Sequence, residues 1–383
     1  MRILYGVVGE GMGHATRSRV VLEHLLDGGH EVHVVVSGAA HGFLARAFEG
    51  RSRFQLTEII GLHLVQDAEG IDKSASLWSN LAGAPESLRH NLKRYIDVAA
   101  SFQAQVVISD FESWAFFYAR AHDIPVISLD NIQVLHRCSH GDWISGTRTA
   151  NFLLARYSAK AKMPGAYHFL VTTFFTPPVR KRRTTLVPPI LRPEVLAARR
   201  EPGDHILVYH HKEALNALLP VLEGLDGHRF VVYGLGERAS SHAHLTFRPF
   251  SQTGFVDDLR TARGAIAGGG FSLMSECVHL HVPLLAVPLG NQFEQELNAR
   301  YLDRLGYGTW VEELSEAAVI AFLAKLDVYS AALEGWVPQD NTMTLNCVDE
   351  LLSRVALGEP APNTLTSASL GDIVTAGIDA ALD

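Results

Sequence analysis

Cysteine is scarce in this chain: Cys138, Cys277 and Cys347 are the only three among 383 residues. None forms a CxxC pair or a framework spacing, which argues against structural zinc and structural disulfides and fits a reducing compartment. Long apolar runs are missing too. No stretch reaches the roughly 18–20 residues needed to cross a bilayer. The opening MRILYGVVGEG reads as a first buried strand running into a glycine loop rather than as a signal peptide. Positive charge is not in excess either. The 33 Lys and Arg stand against 41 Asp and Glu, a formal net charge of −8, so the basic face of a nucleic-acid binder is not expected. The 19 histidines form no HExxH motif, and the pairs His210-His211 and His279/His281 read as sheet and loop residues rather than metal ligands.

What is present is enough to bury real cores: 47% hydrophobic and 19% charged residues, over a length that suits two domains of about 150–200 residues. The opening alternates cleanly. RILYGVV reads as a buried strand, GEGMG as a loop, HATRSRVVLEHLLDGG as a helix ending at Gly28-Gly29, and HEVHVVVSG as a second strand. Such units imply a parallel sheet with right-handed crossovers. The rhythm returns at 105-QVVISD-110, a helix to about His122, and 124-IPVISLD-130.

A second series runs from 204-DHILVYHH-211 through EALNALLPVLEGL, RFVVYGLG, LTFRPF, a helix near Val256–Ala262, AIAGGG and PLLAVPLG. Between the two series, 176-TPPVRKRRTTLVPPILRPEV-195 is rich in proline and charge and reads as the connection. The expected fold class is therefore α/β, with two doubly wound Rossmann-like domains facing each other across a cleft, and ligands beyond the carboxyl ends of the strands. The expected boundaries are an N-terminal domain over 1–185, a linker over 186–203 and a C-terminal domain over 204–335. A helix and tail over 336–383 would return to the N-terminal domain. The tail 359–383 is assigned no role.

The first glycine loop, Gly9-Glu10-Gly11-Met12-Gly13-His14, has GxGxG rather than GxGxxG spacing, and the second strand ends VVVSG with no acid for a ribose. A dinucleotide cofactor is not expected. Gly11, Met12 and Gly13 instead let a substrate approach backbone at a helix N-terminus. His14, at the loop–helix junction, is a general-base candidate at neutral pH; the alternative is that it packs or caps the helix start. Asp110 ends an apolar strand on the same side and could hold a histidine ring. It could equally serve as the N-cap of the helix ESWAFFYARAH. The aromatics Phe111, Trp114, Phe116, Phe117 and Tyr118 read mostly as core residues, though one or two could line a substrate pocket.

The second loop follows a strand with Gly268, Gly269 and Gly270, then Phe271, Ser272 and a helix. Bare backbone N–H groups and a helix N-terminus there suit a diphosphate. Ser272 could add a hydroxyl or cap the helix. Glu276, one turn in, can accept hydrogen bonds from two vicinal ribose hydroxyls. After the strand PLLAVP, Glu294 and Gln295 could read sugar hydroxyls.

This order of parts strongly resembles the donor-binding half of the GT-B glycosyltransferases. It is similar to the box that plant secondary-product and bacterial natural-product glycosyltransferases of the family 1 type use for nucleoside diphosphate sugars. It is similar also to the family 28 type N-acetylglucosaminyltransferase that makes lipid II. The matching elements are the glycine turn, Glu276 eight residues after Gly268, Val282-Pro283, Pro288, and Glu294-Gln295 followed by Asn298-Ala299. GxGH at Gly11–His14 resembles the family's acceptor-side loop, and the likeness covers roughly residues 1–355. One departure stands out. Many relatives carry a histidine at the start of the box where this chain has Gly268, so charge compensation for a diphosphate would fall to backbone donors, Lys212 or Arg248.

The resemblance implies that Phe250 and Ser251, in the turn before the box, bind the uracil or thymine ring. It implies transfer of a sugar from a nucleoside diphosphate sugar, UDP-linked above all, to an acceptor hydroxyl. His14 would be the base, Asp110 the stabiliser of its imidazolium, and the Gly268–Ser272 backbone the partner of the leaving diphosphate. Retaining relatives carry Glu-x7-Glu. Here the position eight beyond Glu276 is Leu284, so inversion is expected. No cofactor and no metal is expected beyond the sugar nucleotide itself, since the chain has no Asp-x-Asp of the kind metal-dependent sugar-nucleotide enzymes show.

The alternatives are a UDP-N-acetylglucosamine 2-epimerase-like enzyme and a non-catalytic sugar-nucleotide-binding homologue; the GxGH loop and the EQxxNA group favour transfer. The expected location is cytoplasmic, and the expected partners are the nucleotide sugar and a small-molecule or lipid acceptor. Arg180-Lys181-Arg182-Arg183 beside Phe174-Phe175 would be the point of any peripheral contact with the inner membrane face, or else a solvated loop. Acceptor, sugar, UDP against dTDP, and oligomeric state stay open.

Overall fold

The structure, a computed structural model, describes residues 1–9, 11–61, 65–67, 70–145, 150–290 and 292–368. The chain forms two compact units. One comprises Met1–Val65, Lys73–Ile190 and the chain from Asp340 onward; the other comprises Gln66–Asp72 and Leu191–Gln339.

The first unit is built on a seven-stranded sheet. Its strands are β1 (Arg2–Val7), β2 (Glu31–Val36) and β3 (Phe54–Glu58); β4 (Val65–Asp67) and β5 (Gly70–Asp72) pair only with each other. The sheet continues with β6 (Val106–Asp110), β7 (Val126–Asp130), β8 (His168–Thr172) and β9 (Thr184–Val187), in the order β3-β2-β1-β6-β7-β8-β9. All its pairings are parallel. The sequence explains why. VVISD, VISLD and HFLVT each carry three apolar residues in five, and every residue of these strands is buried, as helices on both faces of a sheet require. The core on one face gathers Ile3, Tyr5, Val34, Ile108 and Ile127. Cys347, Val348, Leu351 and Leu352 of the helix Thr342–Ala356 pack into it.

The stretch read as connection, 176–195, holds more structure than its prolines suggest. TTLV pairs with β8 as the edge strand β9, Phe169 opposite Thr184. A short β-branched run is enough to add to an existing edge, and Pro188-Pro189 then ends it.

The second unit carries β10 (His205–Tyr209), β11 (Arg229–Tyr233), β12 (Leu245–Arg248), β13 (Gly264–Gly268), β14 (Leu284–Val287) and β15 (Gly308–Trp310), ordered β12-β11-β10-β13-β14-β15 and again parallel. Both sheets reverse direction of winding once, between β1 and β6 and between β10 and β13. Crevices for ligands form at such points, outside the carboxyl ends of the strands. Both glycine loops leave the sheets there. Among the described residues, no helix is long and apolar enough to cross a membrane.

Two histidines sit inside the first sheet. His33 on β2 bonds Thr57 Oγ1 at 2.8 Å, and His168 on β8 bonds Thr185 Oγ1 at 2.9 Å. Burial pushes both down to about 4. Between pH 4 and 6.5 the folded state then binds fewer protons than the unfolded chain. The stability these two sites contribute is whole above the ordinary histidine value and is lost as pH falls toward 4. At about pH 5 the loss is about 2 kcal/mol per site. We expect Tm to fall clearly from pH 7 to pH 5, and the fall to shrink in His168→Gln. An unchanged pH dependence in that variant would remove His168 from the account.

Candidate active site

In the first unit, the loop after β1 and the end of β6 meet because Val7 lies opposite Asp110 in the parallel pairing. The helix Met12–Asp27 starts there, with Gly11 as its N-cap and no side chain capping it. Gly9 is required at this bend, because a Cβ would fall 2.0 Å from the carbonyl oxygen of Ser37 at the end of β2. Gly11 and Gly13 flank Met12 in the loop–helix turn; Glu10 lies outside the described residues.

His14 stands in the first turn of this helix, and its Nδ1 is 2.9 Å from Asp110 Oδ1. Asp110 is 1% exposed and the His14 side chain 17%. The other ring nitrogen, Nε2, makes no hydrogen bond among the described residues. Arg17, one turn along, closes the group. Its Nε donates to Asp110 Oδ2 at 2.8 Å, its Nη2 donates to Oδ1, and Nη2 also stands 2.6 Å from His14 Nδ1. Ser18 Oγ donates to Asp110 Oδ2 at 3.2 Å. Burial alone would raise the Asp110 carboxyl, but the Arg17 and His14 charges and bonds outweigh it and bring it down to about 2. Burial lowers His14 below its ordinary value, with Arg17 adding to the effect and Asp110 opposing it. The result is a neutral imidazole beside an ionised carboxylate at neutral pH.

Asp110 is not the cap of the following helix. That role belongs to Glu112, whose side chain accepts from Trp114 N at 2.8 Å and Ala115 N at 2.7 Å. Between the two acids, Phe111 takes φ 56°, a left-handed state that costs a non-glycine residue about 1–2 kcal/mol. Lys162 lies over the Phe111 ring at 4.8 Å and donates to the Phe111 carbonyl at 3.3 Å. Sequence reasoning missed Arg17, Glu112 and Lys162. The HATR spacing puts Arg17 on the His14 face of the helix; nothing local points to the other two.

In the second unit, β13 runs into Gly268-Gly269-Gly270 and the helix Phe271–His279, with Gly270 as N-cap and no side chain capping it. Ser272 is thus in the first turn and is not the cap. Gln295, in the helix Phe293–Arg304 together with Glu294, ties the two loops of this site to each other. Its Oε1 accepts from Gly269 N at 3.2 Å and from Leu289 N at 3.0 Å, and its Nε2 donates to Gln292 Oε1 at 2.5 Å. Gly269 must be glycine, since a Cβ would stand 2.7 Å from Gln295 Cβ. Read as a sugar contact in the sequence, Gln295 has its carbonyl oxygen committed to backbone here. Asn291 of the same loop lies outside the described residues.

Glu276 is 6% exposed and held by Arg192 in a fork, Nε to Oε1 at 2.7 Å and Nη2 to Oε2 at 2.8 Å. Burial raises its carboxyl and Arg192 opposes the rise. Arg192 also lies 5.8 Å over the Phe255 ring, which packs edge-on against Tyr209 and Tyr233. Phe255 belongs to the helix Gln252–Thr261, whose N-cap Ser251 accepts from Gly254 N at 3.1 Å; the preceding Phe250 is 60% exposed. Of the candidate cations, Arg248 is paired with Asp258 Oδ2 at 2.8 Å, while Lys212 opens the helix Lys212–Glu223 and is exposed. The space beside Gly268 is filled by His210: a Cβ there would lie 3.4 Å from His210 Nε2, which stands 3.0 Å from the Val287 carbonyl oxygen.

Residues 1–327 match the family model described as "Glycosyl transferase family 1". An uncharacterized glycosyltransferase of Methanosarcina mazei is 24% identical over 363 residues, covering 84% of this chain and 88% of its own length. Among solved structures, Phytolacca americana UGT2 complexed with UDP-2fluoro-glucose and pterostilbene superposes with a TM-score of 0.64 at 16% identity, over 92% of this chain and 98% of that one. The Streptomyces sp. SF2575 glycosyltransferase SsfS6, complexed with thymidine diphosphate, gives a TM-score of 0.56 at 15% identity, over 87% and 94%. The likeness to these structures is one of fold, the GT-B fold with its two parallel-sheet units.

Proposed function

The chain belongs to glycosyl transferase family 1, and from that premise we propose that it moves a sugar from a nucleoside diphosphate sugar, UDP-linked in the first instance, to an acceptor hydroxyl with inversion at the anomeric carbon. The observation that carries the reading is the His14–Asp110 pair at the carboxyl ends of two adjacent strands, with Nε2 of the histidine left to take a proton. In the proposed step His14 Nε2 accepts the acceptor's hydroxyl proton as its oxygen bonds to the anomeric carbon. The bond from that carbon to the diphosphate breaks, and the electron pair leaves with the diphosphate. Asp110 holds Nδ1–H of the imidazolium. The leaving charge meets the N-terminus of the helix Phe271–His279, and Glu276 accepts from the ribose. No step calls on a metal ion. That solved relatives in fold are complexed with UDP-2fluoro-glucose and thymidine diphosphate supports a pyrimidine diphosphate donor.

The test is incubation with a panel of UDP- and dTDP-sugars, first alone and then with alcohol, phenol, sugar and lipid acceptors. Release of nucleoside diphosphate and formation of a glycoside of opposite anomeric configuration is the expected result. Epimerised sugar nucleotide formed without any acceptor would replace this reading with the epimerase-like one.

A further inference from the structure

We infer that Arg17 is a positioning residue for His14: by occupying both oxygens of Asp110 it keeps that acid an orienter, and by standing at His14 Nδ1 it governs which ring nitrogen carries the proton. The inference rests on the reading of His14 as the base. Its geometry is a complete count of the Asp110 lone pairs. Oδ1 meets His14 Nδ1 and Arg17 Nη2, and Oδ2 meets Arg17 Nε and Ser18 Oγ. A carboxylate has about four such acceptor positions, so none is left through which Asp110 could reach substrate. The 2.6 Å approach of Arg17 Nη2 to Nδ1 is a hydrogen bond only when Nδ1 is bare, with the proton on Nε2. When Nδ1–H turns to Asp110, Nε2 is bare and ready to accept. Arg17 and Asp110 thus compete for Nδ1, and the base-competent tautomer is the one in which Asp110 prevails.

The charged and titratable groups facing the pair come from every side. Arg17 lies on the same helix, Tyr5 on β1, Asp110 on β6 and Lys162 at the end of the helix Ala150–Lys162. Asp130 on β7 is electrostatically linked to Asp110 and Arg17. Arg17 and Lys162 disfavour protonation of His14, and Asp110 favours it. Removing Arg17 therefore has a definite sign. Asp110 loses its bidentate partner and turns wholly on His14, which becomes more basic and is fixed with the proton on Nδ1.

The experiment uses the full chain labelled at histidine with carbon-13 and nitrogen-15, with the His14 ring signal assigned by its loss in His14→Ala. In Arg17→Met the His14 titration midpoint is expected to rise by about one pH unit or more, and its nitrogen shifts to move toward the Nδ1–H tautomer. Arg17→Lys, which retains the charge, is expected to stay nearer wild type. The acid limb of kcat/KM on the donor–acceptor pair should move up with the titration. An unmoved midpoint in a folded Arg17→Met, with only Tm lowered, would overturn the inference by reducing Arg17 to a structural partner. Should Arg17→Met fail to fold, Arg17→Met/Asp110→Asn removes the unpaired acid. There the midpoint is expected to stand above that of Asp110→Asn with Arg17 retained, since Arg17 disfavours protonation of His14; equal midpoints would show that Arg17 has no influence on His14 and likewise overturn the inference. Full turnover in His14→Ala would instead defeat the base reading and leave the ring titration as it stands.

Discussion

Replacing His14 with alanine is expected to lower turnover about a thousandfold, within the range general-base catalysis contributes, while the protein still binds the sugar nucleotide. The separation follows from where the parts sit. His14 and Asp110 belong to the first unit, whereas Gly268–Ser272 and Glu276 belong to the second, with its own sheet and core. Removing the imidazole leaves the Asp110–Arg17 ion pair intact, because Arg17 takes both carboxylate oxygens. The variant should therefore keep its fold, and thermal stabilisation by UDP-sugar should match wild type. His14→Gln is the stricter form, since it fills the space without offering a base. Because burial and Arg17 hold His14 below its ordinary value, the wild-type acid limb of kcat/KM should also lie below about 6.5. Turnover that survives in both variants would take the proton-accepting role away from His14.

Much of this arrangement can be read before any coordinates. The apolar runs RILYGV, VVISD and HILVY mark strands buried on both faces, and glycine clusters after β1 and β13 mark the turns at their carboxyl ends. Asp110 could be named because it ends such a strand, and His14 because it stands at the start of the helix that follows the glycine loop after β1. What stayed hidden depends on partners rather than on periodicity. Burial has a period that apolar spacing reports; the partner of a side chain has none. Arg192 is 84 positions from Glu276, and no local pattern forecasts that fork. Gln295 looked like a polar group awaiting a ligand, yet it serves two backbone amides whose need arises only when the β13 and β14 loops lie side by side. Glu112 displaced Asp110 as a helix cap because the chain spends one residue, Phe111, in a left-handed turn. A capping position counted from an ideal strand end misses that residue.

Glu276 carries the second large effect, and its ion pair with Arg192 makes the test more demanding. Arg192 takes one lone pair from each carboxylate oxygen, so each oxygen keeps another for a ribose hydroxyl. Glu276→Gln should therefore have two consequences. Loss of a charged acceptor should weaken UDP-sugar binding about tenfold to a hundredfold. Loss of one partner from a buried pair should lower stability by about 3–5 kcal/mol, since the Arg192 and Glu276 side chains are only 11% and 8% exposed. A drop in affinity alone would not tell a ribose contact from a loosened unit. The double variant Glu276→Leu/Arg192→Met separates them, because replacing both charges with apolar groups of similar volume removes the unpaired charge and is often neutral for stability. In that protein Tm should return toward wild type while donor affinity, measured by calorimetric titration with UDP-sugar, stays as weak as in Glu276→Gln. Recovery of affinity together with Tm would mean that Glu276 only braces the helix Phe271–His279 against Arg192, and the ribose contact would have to be sought elsewhere.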